Sequence, residues 1–262
     1  MPDFPPAALV IAHPGHELKV HRWLELARPL VFVLTDGSGH DGRSRLASTA
    51  ALLARTGAGQ GPIFGRMTDG DLYRSLLEGR LEPFLGLTEE LAELLRREGI
   101  ELVAGDAVEG FNPGHDVCRL LLNAAVARLR AGGQAVENCD FLLDGGPDHR
   151  PAEDHAGGVH IELDGPALAR KLAAARSYPG LEDEVARALA RHGSDAFRNE
   201  RLRRVRYGLD IGGQFSHPPF YEIHGERQVA AGFYREVLRY HAHVAPLAEC
   251  LRSLSVPAHE PA

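Results

Sequence analysis

Cysteine is scarce in this 262-residue chain: Cys118, Cys139 and Cys250 form no CxxC pair and are odd in number. A disulfide framework and a cysteine-rich zinc site are therefore not expected, and the setting implied is a reducing, cytoplasmic one. Basic residues are in deficit, 29 against 36 acidic for a net charge of -7, and the only basic cluster, RLRRVR at 201–206, reads as the solvated edge of a strand or helix. Nucleic acid is not an expected partner. Long apolar runs are missing too. The opening MPDFPPAALVIAHP has no basic lead, and its apolar run is too short for a signal peptide or a membrane span. Internal repeats and low-complexity tracts are also absent.

What the chain does have is alternation. A buried strand at Ala8 to Ile11 stops at His13-Pro14 and turns into a helix carrying Leu18, Val20 and Leu24. Further strands are expected at Pro29 to Leu34, Pro62 to Gly65, Ile100 to Ala104, Cys139 to Leu143 and Val159 to Leu163. Helices fall between them: Arg43 to Arg55, one capped by Thr68 or Asp69, one opened by Thr88 and stopped by Gly99, and one running from Val117 to about Arg130. This pattern predicts an α/β fold, a Rossmann-like, mostly parallel sheet flanked by helices. One domain is expected over 1–262, with a core at 1–145 and strands and helices of 159–255 completing it. Two short helices, through Leu168 and Leu172 and through Leu181, Val185 and Leu189, are separated by Tyr178-Pro179-Gly180. Apolar residues from Phe233 to Leu254 recur at steps of four and three, the face of a long C-terminal helix kinked at Pro246. That face packs on the sheet or, alternatively, forms the seam of a homo-oligomer.

His13 and His16 stand three residues apart at the carboxyl end of the first strand, where ligands bind in open α/β sheets. Two neutral imidazoles there suit zinc or another divalent metal, which needs at least one further ligand. AHPGHE at 12–17, VFVLTDG at 31–37 and EGFNPGHD at 109–116 resemble, in order and spacing, the three signature regions of the PIG-L / LmbE-like zinc-dependent N-deacetylases. The resemblance covers roughly the first half of the chain. It implies a Rossmann-like sheet, a zinc ion held by His13, His16 and His115, and hydrolysis of an N-acyl group on an amino sugar or glycoconjugate precursor by metal-activated water.

The departures are specific. The family's first motif is usually A-H-P-D-D-E and its last H-P-D-H. An aspartate ligand has become His16, which still binds metal, but the general-base aspartate has become Gly15, and the first histidine of the last motif is Asn112. Asp36, Asp116 and Glu17 are the nearby carboxylates that can replace the base, and Asn112 can steady an oxyanion. Arg66, Asp69 and Tyr73, after the third strand, are candidates for substrate contact. Each has a plainer explanation: Glu17 favours a helix dipole, and Asp36 shapes a turn with Gly37. PDHR at 147–150 also looks like the last motif, with His149 or His155 as the alternative ligand, though no helix follows it. His217, His224, His241 and His243 are expected to be solvated or packing residues. Two other functions compete: a metal-binding relative that has lost or changed the chemistry, and a nucleotide-binding α/β protein using Gly37-Ser-Gly39-His-Asp-Gly42. Against the second, no acidic residue ends a following strand to hold a ribose.

Overall fold

The computed structural model describes residues 4–39, 42–144, 158–215 and 217–255. In chain order, β1 (Ala7–Ile11) leads through a 3-10 turn (His16–Val20) to α1 (His21–Ala27), followed by β2 (Leu30–Thr35), α2 (Leu46–Thr56), β3 (Gly59–Met67), α3 (Asp69–Leu77) and α4 (Glu82–Arg97). After these come β4 (Leu102–Asp106), α5 (Pro113–Ala131), β5 (Glu137–Phe141), β6 (Val159–Glu162), α6 (Gly165–Arg176) and α7 (Glu182–His192). The last elements are β7 (Asn199–Arg204), α8 (Phe220–Ala230) and α9 (Ala245–Ser255).

Among the described residues the sheet has seven strands in the order β3-β2-β1-β4-β5-β7-β6. Strands β1 to β5 run parallel, and β7 pairs antiparallel with both β5 and β6. The expected α/β class and mostly parallel sheet are what is seen. Every residue of β1 and β4 is buried, as strands covered on both faces require. Successive side chains alternate between two layers: Ala8, Val10, Phe32 and Leu34 pack toward α3, α4, α5 and α9, while Leu9, Ile11, Val31 and Val33 meet Trp23 and Leu24 of α1 and Leu53 of α2. Helix α5 is buried nearly all round, so its sequence is apolar beyond a single stripe.

Strand β7 also ties the C-terminal part to the core. Glu200 accepts from the backbone N–H groups of Arg22 and Trp23, both at 2.9 Å, capping the start of α1, and pairs with Lys171 of α6 at 2.9 Å. Glu200 and Lys171 are both buried, which makes the pair a geometric clamp rather than a surface contact. RLRRVR spans most of this strand and the loop after it, with Arg203 on Asp140 and Arg204 on Glu137.

Several expectations need correction. The helix assigned to Thr88 starts earlier: α4 begins at Glu82 with Pro83 in its first turn, and buried Thr88 sits mid-helix, bonding back to the Phe84 carbonyl at 2.9 Å. No helix runs from Phe233 to Leu254. Phe233 is exposed, a π-turn covers Tyr240–Val244, and α9 starts at Ala245, so Pro246 opens a helix instead of kinking one. Val244, Leu247 and Leu251 are spent on α5 and the sheet, so this face is not free to form an oligomer seam. No helix among the described residues is long and apolar enough to cross a membrane.

Candidate functional site

The site lies at the carboxyl ends of β1 and β4, adjacent strands whose following segments diverge, the switch point at which open α/β sheets bind ligands. Three imidazoles meet there. The ring centroids of His13 and His16 are 5.3 Å apart, those of His13 and His115 5.2 Å, and those of His16 and His115 4.6 Å. His13 and His16 come from the turn after β1, and His115 from the first turn of α5. Gly114 makes room for this approach, since a side-chain carbon there would lie 2.9 Å from His13 Nε2.

Two carboxylates hold the rings. His13 Nδ1 faces Asp69 at 2.9 Å and Thr35 Oγ1 at 2.7 Å, and His16 Nδ1 lies 3.0 Å from both oxygens of Asp106. Asp106 also accepts from the Ala12 N–H at 2.8 Å, and Asp69 from the Gly39 N–H at 2.7 Å. A carboxylate accepts only, so Nδ1 of each ring carries the proton and Nε2 keeps a lone pair. His13 Nε2 and His115 Nδ1 are buried without a hydrogen-bond partner. Burial, and then the neighbouring His16 and His13, push His115 well below the usual imidazole range, so it is neutral. Burial by itself raises the Asp69 carboxyl, but His13, Thr35 and Gly39 outweigh it and hold the group well below the usual range.

Neutral imidazoles, lone pairs without partners and carboxylates behind the rings are the donor chemistry of a divalent-metal site. Among the described residues no three His, Cys, Asp or Glu side chains form a finished metal shell. The rings stand edge to face, with interplanar angles of 88°, 62° and 88°, and must turn to aim their nitrogens at one point.

The remaining carboxylates are engaged elsewhere. Glu17 is fully buried, its oxygens accepting from the Gly15 N–H at 2.7 Å and the Tyr178 hydroxyl at 3.0 Å, and burial raises its pKa. Asp36 accepts from the Ser38 N–H at 3.0 Å, shaping the turn before Gly37. Burial pushes Asp116 up to about 8, so it keeps its proton at neutral pH. One of its oxygens faces the Gly110 N–H at 3.4 Å and the other has no partner. At the vacated base position, Gly15 has φ 109°, and a Cβ there would meet Leu181 Cδ1 at 2.4 Å.

Asn112 caps α5, its Oδ1 accepting from the Gly114 N–H at 2.7 Å and the Tyr73 hydroxyl at 3.1 Å, which leaves its NH2 as the free donor. Tyr73 thus touches the site through Asn112. Arg66 does not reach it: half-exposed, it pairs with Glu90 of α4. Asp69 stands behind His13, which is a positioning place rather than the substrate contact expected of it. His149 and His155 lie outside the described residues, as do residues 40 and 41 of the glycine-rich loop. That loop sends the Gly39 N–H to Asp69, so its described part braces the histidines.

A cavity of about 650 Å³ opens from His16 and His115, walled by Leu18, Leu143, Leu172, Leu181, Val185 and Phe197. No family model and no curated relative matches the chain. Solved structures do: the A40926 pseudoaglycone deacetylase Dbv21 aligns at 18% identity over 78% of this chain and 98% of that one, with a TM-score of 0.55. The fold is shared with solved deacetylases. A triple mutant of a deacetylase of the teicoplanin biosynthetic pathway aligns at 13% identity over 77% of this chain and 99% of that one, with a TM-score of 0.50. At these identities the likeness to the deacetylases concerns the fold.

Sequence reasoning missed Thr35, Asp106 and Arg119. Asp106 carried a readable signal, a carboxylate closing an apolar strand that neighbours the histidine strand. Buried Arg119 bonds the carbonyls of Asp106 at 2.6 Å and Cys139 at 3.1 Å, and Asn138 Oδ1 at 3.0 Å, so it fixes the strand end that presents Asp106. Its position on a helix gave no hint of that.

Proposed function

We propose that this chain is a metal-dependent hydrolase that removes an N-acyl group from an amino sugar or glycoconjugate precursor, with His13, His16 and His115 holding zinc or a similar divalent ion. The observation that carries this reading is the pair of carboxylate-backed imidazoles beside a third, neutral one, with buried lone pairs left unpartnered at the mouth of a cavity. A divalent ion there supplies Lewis-acid polarisation of a carbonyl and activation of water at neutral pH. Asp69 and Asp106 fix the tautomers of His13 and His16. Asn112, its oxygen tied down by Gly114 and Tyr73, presents its NH2 to the developing oxyanion. The apolar wall of the cavity excludes water and accommodates the acyl or aglycone part of the substrate.

A second reading has its own observation: a binding protein that keeps the metal and has lost or changed the deacylation chemistry. Leu181 fills the space beside Gly15, and Glu17, Asp36 and Asp116 are committed or protonated, so no described carboxylate stands free as base. The experiment is metal analysis of the purified protein, followed by acyl release from a panel of N-acetylated amino sugars with the zinc-loaded form. About one equivalent of divalent metal, most of it lost in His16→Ala, together with turnover supports the hydrolase. Metal without turnover leaves the binding protein. Full metal content in a His13→Ala, His115→Ala double variant refutes the site.

A further inference from the structure

Arg45 is a cation without an evident structural task. It precedes α2 at the N-cap, where the helix dipole disfavours positive charge and where it makes no side-chain capping bond. Its Nε is buried, and no side chain among the described residues accepts from it. A buried guanidinium without an acceptor is costly, and such a cost is retained where a ligand supplies the acceptor.

The surroundings are built around it. Glycines flank the guanidinium stem on two sides. A Cβ at Gly37 would lie 3.1 Å from Arg45 Nε and Nη2, and one at Gly180 would lie 3.2 Å from Arg45 Cδ. Gly37 in turn abuts Pro14, since the same Cβ would be 2.7 Å from Pro14 Cδ, next in sequence to His13. Arg45 lines the same cavity as Gly15, His16 and His115. That cavity is cationic in a chain of net charge -7. With Lys171 set aside because Glu200 pairs with it, Lys19, Arg45, Arg187 and Arg191 line it against Asp144 and Glu184. Lys19 feels Glu109 and Asp144, so of the cations close to the histidines Arg45 is the one left for a ligand.

We propose that Arg45 is the anion-binding residue of this cleft, and that the substrate is an N-acyl amino sugar bearing a carboxylate or phosphate. The scissile bond rests on the hydrolase reading above; the anion site rests on Arg45 alone. A guanidinium takes either anion through paired N–H donors, and a positive cleft on an acidic protein steers such a substrate inward.

The test is calorimetric titration of wild type, Arg45→Gln and Arg45→Lys, metal-free and zinc-loaded, with N-acetylglucosamine, its 6-carboxylate and its 6-phosphate. Wild type is expected to bind an anionic sugar about ten- to a hundredfold tighter than the neutral one, less so at high salt. Arg45→Gln erases that preference, leaves the neutral sugar's Kd unchanged and keeps the wild-type melting temperature, while Arg45→Lys retains part of it. The tighter of the two anions identifies the group. Equal affinity for neutral and charged sugars in wild type, or a preference that survives Arg45→Gln, overturns the proposal. Anion preference without turnover of any N-acyl sugar sinks the hydrolase reading and leaves Arg45 standing; turnover without anion preference does the reverse.

Discussion

Replacing Asp106 by asparagine alters the charge behind His16 while keeping the side chain's size. One carboxylate oxygen takes the Ala12 N–H at 2.8 Å, and both lie 3.0 Å from His16 Nδ1. Asparagine can satisfy Ala12 with its oxygen, which turns its NH2 toward His16. Two donors cannot face each other, so the imidazole moves its proton to Nε2, and the lone pair offered to a metal is lost. Loss of such outer partners typically costs about 10- to 100-fold in metal affinity, or about 1.4–2.7 kcal/mol. The metal-free protein should also lose a charge-assisted hydrogen bond worth about 1.5–3 kcal/mol, which separates two readouts. Zinc affinity by chelator competition should weaken tenfold or more, and the rise in melting temperature on adding zinc should shrink. An Asp106→Asn protein that folds and binds zinc as tightly as wild type would refute the argument that Asp106 sets the His16 tautomer.

Other outcomes follow from single contacts. Gly15→Asp alone should lower stability and give no gain in activity, because φ 109° and Leu181 both oppose a side chain there; adding Leu181→Ala should recover stability, and acyl release by the double variant tests whether the base has been restored. Arg119→Met should leave the Asp106 and Cys139 carbonyls and Asn138 without a donor and destabilise by roughly 3 kcal/mol or more, read by urea unfolding, with zinc affinity falling as well. Burial pushes His21 down to about 4, despite Glu25 pulling it up. The unfolded chain therefore takes up this proton first, and stability is lost as pH falls from about 6.5 to about 4, with a slope of at most about 1.4 kcal/mol per pH unit. His21→Gln should flatten that limb relative to wild type in urea midpoints taken at pH 7, 5.5 and 4.5.

The parallel core was legible because its strands are continuous apolar runs that need no partner to be recognised, as PLVFVL and ELVAGD show. Thr68 was readable as a cap for a similar reason: its Oγ1 accepts from the Asp71 N–H three residues on, a local interaction. Elements that depend on distant contacts were not. Strand β7 is charged at most positions and exists because β5 and β6 pair with it. The apolar spacing from Phe233 to Leu254 counts the right residues and assigns them to one helix, whereas only the last third is α-helical. At the site, the three histidines could be grouped in advance because each sits at a strand end or helix start. Asp69 was placed with the wrong partner, since sequence distance says nothing about a contact between His13 and a residue 56 positions away.

Gly15 shows why the base cannot simply be supplied by a neighbour. With φ 109° it begins the 3-10 turn that carries His16, and its N–H is held by Glu17, whose other oxygen is tied to Tyr178 and through it to Thr49 at 2.7 Å. Glu17 is therefore part of the frame that positions His16, and freeing it for proton transfer would loosen the turn. Leu181 packs with Leu18 and Tyr178 in the same small cluster, so the space that a Gly15 side chain needs is also core. A base at residue 15 thus requires the turn to leave the left-handed region, Leu181 to shrink and the cluster to repack. That set of coupled changes fits a chain in which the glycine is built into the fold. It predicts that Glu17→Gln, which keeps the size and one acceptor, lowers zinc affinity and melting temperature together. A variant that altered only the pH dependence of turnover, with metal and stability unchanged, would instead mark Glu17 as the base.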